Sequence, residues 1–373
     1  MAEKKEFLTE QIITYLGNKR SLLTFIDTAI HLVLKELKAS KIDTFDVFAG
    51  SGIVSRYLKQ YSLNLFTNDL EDYCFTINKC YLTNENEIDL TILKNWYQKI
   101  KDLLENKELI KDGFISKLYA PQDDNDIKPG ERVFYTSRNA RYIDSARQYI
   151  ESVPEPYKTL LLGPLLYEAS TKNNTSGVFK GFYKNSETKI GQFGGNGKNA
   201  LKRILADIEL NLPVLSNYNC NVHVLQGDSN EICKQIPHVD LAYLDPPYNQ
   251  HPYGSNYFML NLINNYKEPK EVSDVSGIPL EWNKSNYNKK AKALDSMKNL
   301  CENVNATYIL ISYNSEGFIT YNEMVSMLKE LGNVRVFDKK YNVFRGCRNL
   351  RERDIHVEEY LFLLKKGKKQ DVR

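Results

Sequence analysis

Short apolar runs and helical patterns alternate along the first part of the chain. Residues 44–48 and 64–67 form apolar runs of strand length, and residues 53–60 and 71–81 carry apolar side chains at helical spacing. Each run is followed by its helix within a few residues. This alternation predicts a mostly parallel sheet that helices cover on both faces.

The same pattern returns in the last part of the chain. Strands are predicted at 221–225, 239–244, 307–312 and 358–364, and a helix is predicted at about 321–331. The two segments together predict an α/β fold whose sheet is assembled from both parts of the sequence.

The stretch between these segments has a different character. Residues 85–215 are mainly helical and polar, and they end in a glycine- and asparagine-rich tract at 173–199. A single connection between a strand and a helix takes only a few residues, so 85–215 is expected to be an inserted domain. The core then consists of 1–84 and 216–373, with a smaller polar insertion at about 266–297.

Composition adds little to this picture, but the distribution of charge adds more. The chain has 373 residues, 42% hydrophobic and 26% charged, with a formal net charge of +3, which is ordinary for a globular protein. Between 339 and 353, however, six basic residues stand against one acid, Glu352. Such a cluster suits a surface that contacts phosphates, and a solvated basic face explains it equally well.

Cysteine and histidine usage excludes several classes of protein. The six cysteines are scattered without a C-x-x-C pair, and the five histidines form no H-E-x-x-H pattern. These spacings argue against a disulfide framework and a zinc site, and no metal ligand is predicted. The charged N-terminus does not resemble a signal peptide, and no apolar run approaches the roughly 18 residues of a membrane span. A cytoplasmic protein is therefore expected.

The motif D-P-P-Y directly follows the predicted strand 239–244 and comprises Asp245, Pro246, Pro247 and Tyr248. Ligands of open parallel sheets bind outside the carboxyl ends of the strands, where this motif falls. Consecutive prolines make a rigid loop that presents carbonyl acceptors beside a carboxylate and an aromatic ring. Two such acceptors can bind both N–H groups of an aryl amine, and the ring can stack on the base that carries it. These four residues are the predicted catalytic residues.

A glycine loop follows the predicted strand 44–48. Its sequence, F-A-G-S-G from Phe48 to Gly52, lacks G-x-G-x-x-G spacing, but glycines there let the backbone approach a ligand closely. Asp69 ends the next predicted strand, where an acid can accept hydrogen bonds from ribose hydroxyls.

With these motifs in the order in which they occur, the chain resembles the Dam-like, α-class DNA adenine methyltransferases of restriction–modification systems. The segment Y-L-G-N-K at 15–19 resembles the opening motif of that family, and Gly227-Asp228 resembles its contact to the cofactor's adenine. The resemblance covers about 1–82 and 220–373. It implies a cofactor-binding set comprising Tyr15, Gly17, Asn18, Lys19, Phe48, Gly50, Gly52, Asp69 and Asp228.

The resemblance also implies a fold, a reaction and partners. The fold is the Rossmann-like sheet of S-adenosylmethionine-dependent methyltransferases, with 85–215 as an inserted target-recognition domain. The implied reaction transfers a methyl group from S-adenosylmethionine to the exocyclic amine of an adenine flipped out of double-stranded DNA. The expected partners are DNA and a cognate restriction endonuclease, with no membrane, and the chain is expected to be a monomer or a weak dimer.

Basic and polar residues outside the motifs are candidate DNA contacts. Arg345, Arg348 and Arg351 precede the last predicted strand and are expected to contact phosphates or base edges. Residues 173–176 and Lys180 can contact DNA or form a flexible polar loop. Arg138 is interpreted as a charge on a helix surface first and a DNA contact second, and the same holds for Arg141.

Aromatic residues after the D-P-P-Y motif allow two interpretations. Tyr253, Tyr257 and Phe258 can stack on a flipped base near the predicted pocket. Tyr257 and Phe258, however, have apolar partners at helical spacing, which favours a place in the core.

Three alternative functions remain open from the residues alone. Methylation of the exocyclic N4 amine of cytosine uses the same chemistry. A protein-glutamine methyltransferase typically carries N-P-P-Y, so Asp245 disfavours that activity. A non-catalytic DNA-binding subunit of the same fold is disfavoured by the intact Asp245 and glycine loop.

Overall fold

The computed structural model describes residues 3–198, 200–342 and 356–367. Contacts between Cα atoms divide the chain into two compact units. The sheet unit comprises 19–70, 218–252 and 284–373, and the helical unit comprises 1–18, 71–217 and 253–283.

The sheet unit contains a seven-stranded sheet within the described residues. Its strands are β1 Ile42–Asp46, β2 Ser62–Asp69, β3 Asn221–Gln226, β4 Val239–Leu244, β5 Ala306–Asn314, β6 Gly332–Asn342 and β7 His356–Lys366. The strand order is β3-β2-β1-β4-β5-β7-β6. β3, β2, β1, β4 and β5 are parallel, and β7 pairs antiparallel with both β5 and β6. The predicted α/β fold class is confirmed.

The helices of the described residues alternate with these strands in the sheet unit and dominate the helical unit. They are α1 Lys5–Thr9, α2 Leu23–Leu37, α3 Ile53–Leu58, α4 Asp72–Leu82, α5 Leu90–Asn106, α6 Phe114–Tyr119, α7 Ser137–Glu151, α8 Tyr157–Thr171, α9 Leu201–Ile204, α10 Ser229–Ile232, α11 Tyr253–Asn256, α12 Phe258–Asn265, α13 Lys290–Asn303 and α14 Tyr321–Lys329. Within the described part of the chain, no helix has the length and apolar content that a membrane crossing requires.

Helices pack on both faces of the sheet, and the central strands β4 and β5 are therefore buried on both sides. On one face, α13 and α14 bury Met297 and Met324 against a cluster that includes Ile311 and Phe362. On the other face, α2 approaches the strands, and its Glu36 accepts a hydrogen bond from the Tyr308 hydroxyl at 2.7 Å. Side chains alternate along a strand, so residues next to those of the apolar cluster point to the α2 face.

In the sheet unit, α2, α13 and β6 were not predicted from the sequence. β6 lies at the edge of the sheet that the described residues form, with β7 as its one neighbour there. Its sequence therefore mixes charged residues with Val334 and Val336, which pack on the core, and resembles a loop. Lys339 and Lys340 of the basic cluster lie on this strand.

The helical unit has its own apolar core, in which α4 packs on α8 and α7 packs on α5, α6 and α8. Tyr257 and Phe258 are buried in this core, as helical spacing favoured. The predicted insertion 85–215 belongs to this unit, which also takes in the N-terminal residues, 71–84 and 253–283. Its assignment to target recognition stays a prediction.

Candidate active site

The D-P-P-Y loop begins where β4 ends, at the carboxyl edge of the parallel strands. Pro246 is buried, and the Asp245 side chain exposes 18% of its surface. The backbone N–H of Phe318 donates to the Tyr248 carbonyl oxygen at 2.9 Å, and the Tyr248 ring meets the Tyr313 ring edge-on at 6.3 Å. The loop is therefore held at both its proline and its tyrosine end.

Lys19 forms the main charge contact of this loop. It begins a short 3-10 helix, Lys19–Leu22, just before α2, and its side chain is only 5% exposed. Its Nζ lies 3.0 Å from Asp245 Oδ1 and 3.2 Å from Glu359 Oε1 on β7. It also lies 6.0 Å from the centre of the Tyr248 ring. A residue expected to contact the cofactor thus contacts the predicted catalytic carboxylate.

The electrostatics of the ion pair follow from burial and neighbouring charge. Burial raises the pKa of Asp245 to about 6, against the lowering effect of Lys19, and the charge of Glu359 adds to the rise. Burial lowers the pKa of Lys19, but Asp245 and Glu359 outweigh it and hold that pKa well above its usual value. Near neutral pH, Lys19 is charged and Asp245 is mostly ionised.

The glycine loop after β1 has the conformation that its glycines permit. Gly50 and Gly52 have φ values of 51° and 76°, in the left-handed region that disfavours side chains. The Gly50 N–H donates to Asp69 Oδ2 at 2.8 Å, so the acid at the end of β2 fixes the loop. Phe48, at the start of the loop, meets the Tyr287 ring edge-on at 5.1 Å.

Asp46, the last residue of β1, is a buried acid beneath this loop that was not predicted as a site residue. The Ser55 hydroxyl donates to its Oδ2 at 2.6 Å, whereas Oδ1 makes no hydrogen bond of normal geometry within the described residues. Burial raises the pKa of Asp46 to about 7, and the charges of Asp245 and Asp69 add to the rise. Asp46 thus places a further carboxylate close to Asp245 and Asp69.

Asp228 occupies the N-terminus of α10. Its exposed side chain accepts a hydrogen bond from the Asn230 N–H at 2.9 Å. The preceding Gly227 donates its N–H to the backbone oxygen of Asp69 at 3.0 Å. The adjacent ends of β2 and β3 thus bring Asp69 and Asp228 to the same edge of the sheet.

The remaining residues of the opening motif belong to the helical unit. The Tyr15 ring stacks on Tyr253 at 4.7 Å and on Tyr257 at 4.9 Å. Gly17 has a φ of 74°, and the Asn18 N–H closes the turn on the Tyr15 carbonyl at 3.3 Å. Tyr15 therefore packs on two of the tyrosines that follow the D-P-P-Y motif.

Other candidate DNA contacts meet different outcomes. Asn173, Asn174 and Thr175 are buried, so the prediction of a flexible polar loop is wrong for them. The Asn174 amide donates to the carbonyls of Val133 and Gln192 at 2.7 and 2.8 Å, and such buried polar groups stay in place. Arg138 is exposed on α7, as expected. The predicted contacts Arg345, Arg348 and Arg351 lie outside the described residues.

Glu359 and Ser312 are two further site residues that the motifs did not indicate. Glu359 is fully buried, and the Ser312 hydroxyl of β5 donates to its Oε1. Glu359 falls on the same side of β7 as the buried Leu361 and Leu363. A charged residue at an apolar register position of a buried strand is the signal by which it could have been found.

The parallel sheet with its antiparallel β7, and the acidic D-P-P-Y loop beside a glycine loop, define the fold of an S-adenosylmethionine-dependent methyltransferase. The family model for D12 class N6 adenine-specific DNA methyltransferases matches residues 15–327. This span is most of the chain, and the chain belongs to that family. It is an adenine-specific DNA methyltransferase, and the family supports neither cytosine methylation nor a non-catalytic role.

Curated relatives match nearly the whole chain. Type II methyltransferase M.CviAII of Paramecium bursaria Chlorella virus 1 is 30% identical over 94% of this chain and 98% of its own length. Type II methyltransferase M.NlaIII of Neisseria lactamica is 28% identical over 95% of this chain and 99% of its own length. Modification methylase StsI of Streptococcus sanguinis is 27% identical over 94% of this chain but only 52% of its own length.

Proposed function

We propose that the chain transfers a methyl group from S-adenosylmethionine to N6 of an adenine flipped out of duplex DNA, with Asp245 to Tyr248 as the catalytic loop. The observation that supports this most directly is the ion pair of Lys19 with Asp245 at the carboxyl end of β4. It gives a rigid loop an oriented, ionised acceptor where parallel sheets bind their ligands.

The cofactor fits the residues at the ends of β1, β2 and β3. Phe48, Gly50 and Gly52 would lie along it, while the Asp69 carboxylate would accept from ribose hydroxyls and Asp228 from the adenine amine. Asp46 Oδ1 is buried and makes no hydrogen bond of normal geometry within the described residues, which suits a ligand that carries positive charge. Tyr15, Gly17 and Asn18 stay predicted contacts on the strength of the family motif, as does Lys19.

In the proposed chemistry, the chain's own residues direct the amine and handle its proton. When bound, S-adenosylmethionine supplies a methyl group on a positively charged sulfur, which keeps the electron pair of the broken carbon–sulfur bond. The Asp245 carboxylate and the Pro246 carbonyl accept the two N–H groups of N6, which frees the nitrogen lone pair to form the new bond. Asp245 then takes the surplus proton from N6 and passes it to solvent, a role that its pKa of about 6 suits.

Tyr248 is proposed to stack on the flipped base. Flipping costs a few kcal/mol, and stacking on an aromatic ring returns about 1–3 kcal/mol. Burial raises the pKa of the Tyr248 phenol, so its ring stays neutral in the working range of pH. A neutral ring close to Lys19 offers the base a flat, desolvated surface.

The inserted segment 85–215 is proposed to recognise the DNA sequence. The basic cluster that includes Arg345, Arg348 and Arg351 is proposed to give affinity for DNA of any sequence. The names of the relatives, type II methyltransferases and modification methylases, support a role in a restriction–modification system with a cognate endonuclease. A monomer or weak dimer stays the predicted state.

The proposed function is tested by expressing the full chain in cells that lack DNA methyltransferases and sequencing their modified bases. The expected result is N6-methyladenine at one short sequence and nowhere else. N4-methylcytosine as the only product, or unmodified DNA from cells that contain folded protein, would overturn the proposal.

A further inference from the structure

Glu359 is an acid in a place that normally excludes one. It lies on β7 with 0% of its side chain exposed, on the same side of the strand as the buried Leu361 and Leu363. A buried carboxylate is unfavourable unless it is both paired and hydrogen-bonded. Lys19 pairs with its Oε1 at 3.2 Å, and the Ser312 hydroxyl donates to the same oxygen. The fold therefore stabilises a negative charge directly behind Lys19.

Lys19 is shared between two carboxylates that play different parts in the site. A lysine ammonium has three donors on a flexible four-carbon chain, so one partner leaves it several orientations. Glu359 supplies a second partner on the buried side, and Asp245 Oδ1 receives Lys19 at 3.0 Å. Asp245 Oδ2 makes no hydrogen bond to any residue that the structure describes, and it is the oxygen left to receive a substrate.

We propose that Glu359 is a positioning residue for methyl transfer, which holds the Lys19 ammonium against Asp245 Oδ1 and thereby keeps Oδ2 oriented for the target amine. This inference rests on the proposed role of Asp245. Ser312 assists by fixing the Glu359 carboxylate across the β5–β7 pair.

The surroundings of Lys19 determine what a change in charge would do. Tyr243 of β4 and Tyr248 of the loop face Lys19 and Asp245, and Asp46 is the next acid along the sheet. The Glu359 charge raises the pKa of Asp245, whereas the Lys19 charge lowers it. Removing one or the other charge should thus move the acidic limb of the pH–rate profile in opposite directions. The pair of shifts tests whether both charges act on Asp245, and the rate at constant cofactor affinity tests the positioning role.

The first test compares Glu359→Gln with wild-type full-length protein in single-turnover methylation of a duplex that carries the sequenced site. The single-turnover rate constant is expected to fall about 10–100-fold, the size of effect found when the hydrogen-bond partners of metal ligands are removed. The affinity for S-adenosylmethionine, measured by calorimetry, should stay within about twofold, and the acidic limb of the pH profile should move to lower pH.

Glu358→Gln is the matched control. Glu358 precedes Glu359 on β7 but points to the opposite side, is 38% exposed, and contacts Lys340 and the Tyr360 hydroxyl. Glu358 has no part in the site, so the rate and the pH profile of Glu358→Gln should equal those of the wild type.

Two further variants complete the test. Lys19→Met should also slow turnover but move the acidic limb to higher pH. Ser312→Ala keeps every charge and should lower kcat less than Glu359→Gln, with the cofactor affinity again unchanged. If Glu359→Gln fails to fold, as shown by its melting curve, Ser312→Ala and Lys19→Met decide the question.

The inference would be overturned by a wild-type kcat in folded Glu359→Gln, or in Ser312→Ala where that variant decides. It would also be overturned if the pH profiles of the Lys19 and Glu359 variants shifted in the same direction. Failure of the proposed function has a separate signature, namely near-normal N6-methyladenine formation by Asp245→Ala. If that variant is strongly slowed and Glu359→Gln is normal, only the positioning role is lost.

Discussion

The two units of the chain satisfy their buried charges in different ways. In the helical unit, backbone groups hold most of each buried charge. Asp144 accepts from the N–H groups of Ile115 and Ser116 at 3.2 and 2.8 Å, and also from the Tyr266 hydroxyl. Arg147 donates to the backbone carbonyl of Ile263 at 2.7 Å and also pairs with the exposed Glu151. In the sheet unit, the buried Lys19 is instead paired with two side chains, Asp245 and Glu359, and the Ser312 hydroxyl also donates to Glu359.

This difference distinguishes charges that support the fold from charges that can take part in the reaction. A charge bonded to backbone groups is fixed by the fold, and exchanging its partner would mean unfolding a helix or a loop. A charge bonded to another side chain can exchange that partner for a substrate group at little conformational cost. Buried ion pairs add little net stability, so their place beside the D-P-P-Y loop is better explained by function.

The largest expected effect is on the chemistry of the sheet unit. Asp245→Ala removes an oriented acceptor and should slow methyl transfer about 10²–10³-fold, or about 3–4 kcal/mol in barrier height. DNA affinity, measured by fluorescence anisotropy, should stay close to that of the wild type, because the carboxylate is proposed to contact only the flipped base. Near-normal turnover in this variant would show that the loop is not catalytic.

The sequence predicted the position of Asp245 because the relevant signals are local. An apolar strand, two prolines and an aromatic residue lie within ten residues, and the carboxyl end of a parallel strand follows from the α/β alternation alone. The contact of Asp245 with Lys19 spans more than two hundred residues of sequence, and no periodicity indicates it. Glu359 was harder still to single out from the sequence, because it stands next to a second acid, Glu358, whose side chain is 38% exposed.

The next largest effect is on the stability of the helical unit. Asn174 is fully buried, and its side chain bonds the carbonyls of Val133 and Gln192 and the N–H of Gly194. Asn174→Ala leaves these backbone groups unsatisfied and should lower the free energy of unfolding by about 3 kcal/mol in urea titrations. Ser176→Ala, at a nearby exposed position, should have no measurable effect. Equal stability of the two variants would argue for the flexible loop after all.

The tract around Asn174 also shows a feature that sequence patterns do not predict. Glycine and asparagine favour turns, so 173–199 resembled a solvated loop. Whether an asparagine amide in such a tract is solvated or replaces missing backbone partners depends on the segments packed around it. Those segments, near Val133 and Gln192, are not indicated by the local sequence.

A smaller effect is expected at the glycine loop of the sheet unit. Gly52 has a φ of 76°, which a β-branched residue adopts only with strain, and a valine there also places two methyl groups at the proposed cofactor surface. Gly52→Val should weaken S-adenosylmethionine binding about tenfold or more in calorimetry, with an unchanged circular dichroism spectrum. Gly181→Val is the control, because a Cβ added at the exposed Gly181 meets no atom within 4 Å. Unchanged affinity in Gly52→Val would limit the glycines to forming the turn.

The pH dependence of kcat/KM for the wild-type protein tests most directly the claim that an ionised Asp245 is the acceptor. Burial raises the pKa of this carboxyl to about 6, and only the ionised form can accept the amine. As pH falls from 8 to 5 the rate should decline below about pH 6, approaching a tenfold loss per pH unit, because kcat/KM reports groups of the free enzyme. Denaturation is excluded by a constant melting temperature over the same range. A profile that stays flat down to pH 5 would contradict the account.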